Sequence, residues 1–171
     1  MFLWYIHDVY VQDGRAYLSH WDAGAWVLDV SDPASPSALG RVGGLDIEEL
    51  ASLSGSDLNR QYIEPPGNAH YAQPTDDGSV LFVGGESWDT NTGDDSGGPS
   101  NIDVWDISDP ASPERLARIA PPLPRSGDTT TGGTWTTPHN FDVVGDRLYS
   151  SWYQGGVKIH DISDPANPEE L

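Results

Sequence analysis

At 171 residues, with 36% hydrophobic residues, seven tryptophans and seven tyrosines, the chain has enough apolar surface for one folded domain, which excludes a disordered polypeptide. Its formal charge of −19 comes from 27 acidic and 8 basic residues, with Lys158 the only lysine, and this excludes a surface for nucleic acid or anionic membrane, because phosphate contacts need clustered Lys and Arg. There is no cysteine, so disulfides, thiol nucleophiles and thiolate metal sites are excluded as well.

Repulsion on this scale strains a compact fold in dilute buffer and is screened once molar salt shortens the Debye length to about 3 Å. The acids are scattered along the chain without a tail or block, which fits a salt-adapted protein, of archaeal type, better than an acidic face for a cationic partner. The opening Met1-Phe2-Leu3-Trp4-Tyr5 lacks the basic flank and small-residue cleavage site of a signal peptide. No apolar run approaches the roughly 20 residues that span a bilayer, so no direct membrane insertion is expected.

The first unit, residues 7–42, alternates with period two. Val9 and Val11 interleave with Asp8, Tyr10 and Gln12, Asp13-Gly14 makes a turn, and Ala16-Tyr17-Leu18 follows. After a break at Gly24 come Trp26-Val27-Leu28-Asp29-Val30, an Asp-Pro turn, and Leu39-Gly40-Arg41-Val42. The unit thus reads as four short strands. At the end of the third, Asp32 is placed to bond backbone amides ahead of it in an Asx-turn, and Pro33 fixes φ for the reversal. Between units, Asp46-Ile47-Glu48-Glu49-Leu50 predicts a short helical turn within a non-repeating stretch, 45–67.

The second unit, 68–119, repeats the turn as Asp106-Ile107-Ser108-Asp109-Pro110-Ala111-Ser112-Pro113, matching Asp29 to Pro36. It carries an enlarged loop, 87–99, in which Asp89, Asn91 and Asp94 offer oxygen ligands at alternating positions as calcium loops do; without the glycine placement and terminal Glu of an EF-hand, a solvated acidic loop is the better reading. A Pro-, Thr- and Gly-rich loop, 121–138, leads to the third unit, 139–171, where the turn returns as Asp161 to Pro168 and the chain reaches Leu171 before a fourth strand. The first and third units align without a gap: His7 with His139, Val11 with Val143, Tyr17 with Tyr149 and Gly24 with Gly156.

Four antiparallel strands per unit, three times over, predict an all-β fold: a β-propeller of four-stranded blades with three blades present, forming a single partial propeller domain over 1–171. The phrase from Gly24 to Pro36, and again from Gly156 to Pro168, resembles the repeat of the LVIVD family of β-propellers, which is abundant in salt-loving archaea. The resemblance implies a propeller of an exported or surface-attached protein, so an extracytoplasmic or cell-surface location, and it implies no general activity. Closed propellers need 4 to 8 blades, so the partners expected are the remaining blades of a longer chain or further copies in a homo-oligomer.

His7, His70 and His139 stand at the same place in each unit, in or just before the first strand, which lines the channel of a propeller. They can converge on a metal site for copper, iron, nickel or zinc, with Glu86 or Asp8 as outer partners; the plainer alternative is that each bonds neighbouring backbone. His20 and His160 do not repeat and read as packing or surface residues. Asp8, Glu86, Asn140 and Trp152 are the candidate ligand contacts at the channel mouth, and Trp21, Trp88, Trp135, Trp152 and Tyr153 could form a stacking platform, although core packing accounts for most Trp in such folds. No phosphate loop, serine elbow or His-Glu-x-x-His helix occurs. The expected function is a noncatalytic scaffold that binds a ligand or protein at the channel mouth. Two alternatives are a metal-dependent, oxidase-like enzyme using the histidine ring, and a structural module of a larger surface protein.

Overall fold

The computed structural model describes residues 6–52, 68–86, 101–120 and 137–171. They form three four-stranded antiparallel sheets, each with its strands in sequence order. The first holds β1 (Asp8–Gln12), β2 (Arg15–Ser19), β3 (Ala25–Asp29) and β4 (Ser37–Val42). The second holds β5 (Ala69–Pro74), β6 (Val80–Gly85), β7 (Ile102–Asp106) and β8 (Glu114–Ile119); the third holds β9 (Phe141–Val144), β10 (Arg147–Ser151), β11 (Val157–Asp161) and β12 (Glu169–Glu170). The sheets are open, and the architecture is that of propeller blades.

The repeated turn has two Asx links rather than one. Asp32, Asp109 and Asp164 each accept the amide two residues on, from Ala34, Ala111 and Ala166, at 3.0, 3.1 and 3.1 Å. Upstream, Asp29, Asp106 and Asp161 accept the amides of Ser31, Ser108 and Ser163 at 2.8, 2.8 and 2.9 Å, and all three carboxyls are held below their ordinary range, Asp29 and Asp161 first by the serine hydroxyl and then by the amide, Asp106 by the amide and then the hydroxyl. In the third unit the turn does lead into a fourth strand: β12 pairs with β11 through His160–Glu170 and Asp161–Glu169, where the sequence pattern alone stops short.

The core lies between sheets. Alternation sends successive residues of β6 to opposite faces. Leu81 and Val83 join Tyr17, Val27 and Val42 of the first sheet, while Val80 and Phe82 join Phe141, Val143 and Leu148 of the third. β6 is therefore buried on both faces. Close approach depends on small residues: a Cβ on Gly40 would overlap the Pro110 carbonyl oxygen, which fixes β4 against the repeated turn of the next sheet. Gln73 stitches β5 to β9, its amide donating to the Val143 carbonyl at 3.3 Å and its oxygen accepting the Val143 N–H at 3.0 Å.

The predicted helical turn is α1 (Ile47–Ser52), capped by Asp46, whose carboxylate accepts the amides of Glu48 and Glu49 at 2.8 and 3.0 Å. Its Leu50 packs with Trp21, Ala23 and Leu45 under the β2–β3 turn. No helix among the described residues is long and apolar enough to cross a membrane.

Candidate functional site at the histidine cluster

The register explains why three imidazoles meet. His7 and His139 each donate a backbone N–H to the last residue of the second strand of their own sheet, Ser19 at 2.7 Å and Ser151 at 2.9 Å. His70 precedes Tyr71 as His7 precedes Asp8, since Tyr71 pairs with Gly84 as Asp8 pairs with Ser19. Because β5 touches both β1 and β9, the three histidines stand side by side. The His7 and His70 rings lie 3.9 Å apart between centroids, and those of His70 and His139 lie 4.7 Å apart.

The three are not alike. Ladder pairing passes from Ala69–Gly85 to Tyr71–Gly84, so His70 is the extra residue of a bulge. His70 is 2% exposed, whereas His7 and His139 are exposed. Burial, and after it the neighbouring imidazoles of His7 and His139, push His70 down to about 4, so the ring is neutral at pH 7. Its Nε2 lies 3.3 Å from Glu86 Oε2, a hydrogen bond from a neutral ring, and its Nδ1 is buried with no hydrogen-bond partner. His7 Nδ1 is engaged at 3.0 Å with the backbone oxygen of His70.

Two residues past the second-strand residue that pairs with Asp8, Tyr71 or Asn140, each sheet places a side chain beside its histidine. These are Trp21, Glu86 and Tyr153. Trp21 stacks on His7 at 5.4 Å and Tyr153 meets His139 edge-on at 5.6 Å. Both adopt a left-handed backbone, φ 47° and 46°, in matching turns that end at Gly24 and Gly156. In the second sheet the position is a carboxylate. Glu86, itself buried, accepts the Tyr153 hydroxyl at Oε1, 2.5 Å away. Burial, and then this hydrogen bond, raise the Tyr153 phenol well above its ordinary value, so it remains a donor. One ligand atom each from His70, Glu86 and His139 lie within 4.8 Å of one another.

The remaining candidates are dispersed. Asp8 is half-buried and accepts the amide of Val9 at 2.7 Å. Asn140 is exposed and borders a groove of about 360 Å³ with Tyr71, Asp142, Tyr149 and Val157. Trp152 has no exposed surface, and its Nε1 donates to Ser150 Oγ at 2.7 Å, so it is a core residue with nothing to present to a ligand. Trp21 is likewise buried, and among the described residues of the platform Tyr153 is the exposed aromatic. Trp88, Trp135 and the loop of Asp89, Asn91 and Asp94 lie outside the described residues. Sequence reasoning gave Tyr153 only a stacking role; its alignment with Trp21 was the available sign that it adjoins the histidines.

No curated protein matches the chain. Among solved structures it is similar to a Bacteroides uniformis protein provisionally named a 6-phosphogluconolactonase, at 11% identity and a TM-score of 0.52; the match covers 92% of this chain and 36% of that one. The chain therefore spans about a third of that structure, and the likeness is one of fold. The family model described as the LVIVD repeat matches residues 5–43 and 140–171. The chain carries LVIVD repeats in its first and third sheets, and the second is built on the same four-strand plan.

Proposed function

We propose that the chain is a binding scaffold of blade repeats that holds a divalent transition metal through His70, Glu86 and His139. The observation that carries this reading is the convergence of two imidazoles and a carboxylate, with one ligand atom each from His70, Glu86 and His139 within 4.8 Å of one another. Imidazole with carboxylate suits zinc, copper, nickel or iron, and two ligands at about 2 Å from a tetrahedral ion stand about 3.3 Å apart, the observed spacing of His70 Nε2 and Glu86 Oε2. A neutral His70 needs no deprotonation before it binds. Tyr153 would orient Glu86 from outside, and His7, which lies outside the group of three, packs its ring against that of His70.

Exposed His139 leaves coordination positions open on the solvent side, where a ligand or partner protein would reach the ion. The same opening keeps an oxidase-like role as the second reading. An extracytoplasmic setting in molar salt fits the family and the charge of −19.

The test is elemental analysis and calorimetric titration of chelator-free protein with zinc, copper and nickel in molar potassium chloride. One equivalent should bind, His70→Ala and His139→Ala should each abolish it, and His7→Ala should retain it. Wild-type protein that takes up none of the three metals overturns the reading.

A further inference from the structure

Several exposed apolar side chains among the described residues lie on the outward faces of the two outer sheets. On the third sheet these are Tyr149, Val157 and Ile159, 41%, 71% and 37% exposed; on the first they are Val9 and Val11, 52% and 61% exposed. Register shows what each face is. Tyr149 pairs with Ile159 across β10 and β11 as Phe82 pairs with Val104 across β6 and β7, and Val157 opposes Ser151 as Ile102 opposes Gly84. Phe82, Ile102 and Val104 are 0% exposed because the third sheet covers them. Val9 and Val11 oppose Leu18 and Ala16 as Phe141 and Val143 oppose Ser150 and Leu148. Phe141 and Val143 are the residues that cover the second sheet. One open face thus repeats the receiving side of the internal sheet interface, and the other repeats the inserting side.

We infer that the open face of the third sheet receives the open face of the first sheet of a second copy of this chain, head to tail. The substitutions between repeats compensate in size. Phe141 lies over Gly84, where a Cβ would stand 3.0 Å from its ring; the corresponding pair is Val9 over Ser151, a smaller side chain over a larger one. The polar stitch has a counterpart too. Asp142 replaces Gln73 in register, and its carboxylate can accept the Val11 amide as Gln73 accepts that of Val143. The groove of about 360 Å³ bordered by Asp142, Tyr149, Ser151 and Val157 opens where the incoming strand would lie.

A head-to-tail contact makes a ring when the rotation closes, and two copies give six sheets, within the 4 to 8 of closed propellers. Docking would also set the second copy's His7 beside His139, extending the row of imidazoles. Pairing of the two faces requires no metal.

The test is the mass of the chain by light scattering or sedimentation in molar potassium chloride, where the charge of −19 is screened. Wild type should have twice the chain mass. Val157→Arg and Val11→Arg, both at exposed positions that a folded monomer tolerates, should each be monomeric with unchanged circular dichroism. Mixing the two variants should restore a dimer, because one of its interfaces then joins two unaltered faces. A monomeric wild type overturns the proposal, and so does a Val11→Arg variant that still dimerises, which would mean like faces pair.

Discussion

Asp22 is a buried carboxyl whose ionisation opposes folding, and its neutralisation is predicted to stabilise the fold. It sits in the β2–β3 turn beneath α1, has no exposed surface, and neither carboxylate oxygen has a hydrogen-bond partner. Burial pushes its carboxyl up to about 7 from an ordinary 3.8. The folded state therefore binds this proton more tightly than the unfolded chain. Below about pH 3 both states are protonated and Asp22 costs nothing through ionisation. As the pH rises to about 7 the unfolded chain ionises first, stability falls, and above that the full penalty persists. Three pKa units at 1.36 kcal/mol each set that penalty at no more than about 4 kcal/mol. Asp22→Asn keeps the shape and removes the charge, so its advantage over wild type should be near zero at about pH 3 and grow to about 2 to 4 kcal/mol at about pH 8. Urea unfolding of both proteins at the two pH values, in molar potassium chloride, measures this. A difference that does not change with pH would refute the reasoning, because it would mean that Asp22 is charged in both states or compensated in the folded one.

Gly40→Ala should destabilise by about 1 to 3 kcal/mol and lower the melting temperature, because its Cβ meets the Pro110 carbonyl and forces β4 from the next sheet. An unchanged melting temperature would show that the sheets separate there without cost. Tyr153→Phe deletes the hydroxyl on Glu86 and should weaken zinc binding about tenfold in titration, with little change in melting temperature, since Tyr153 is 42% exposed. Stability should rise steeply from dilute buffer to molar potassium chloride, as screening relieves a charge of −19; a flat dependence in thermal melts would contradict the salt-adapted reading.

The scaffold was legible because its signals are local. An eight-residue turn in triplicate, with Asx geometry at Asp32, Asp109 and Asp164, announces the unit wherever it occurs, and period-two alternation supplies the strands on either side. Alignment also placed the three histidines together, since equivalent positions in adjacent repeats must be neighbours in space. What it could not give was their inequality. The bulge that buries His70 is a matter of ladder register, and the count from histidine to its partner is 14 in the outer units, from 7 to 21 and from 139 to 153, but 16 in the middle one, from 70 to 86. Glu86 was therefore not recognisable as the counterpart of Trp21. Trp152 misled for the opposite reason: a tryptophan at a strand end looks available, while only packing reveals that the third sheet's core encloses it.

Repetition and divergence therefore divide the labour in this molecule. The turns and the ladder pairing recur because each sheet must fit the next, and a change there is felt across the whole interface. The residues beside the histidines stand at strand ends, where side chains leave the inter-sheet core, so Trp21, Glu86 and Tyr153 could differ without altering how the sheets stack. Three copies of one site have become an aromatic cover on His7, a buried carboxylate on His70 and a phenol that donates to that carboxylate across the sheet boundary. Such a site exists in no single repeat. It needs adjacent sheets held in register, which makes the integrity of the interface around Phe141 and Gln73 a condition for the metal site proposed at its end.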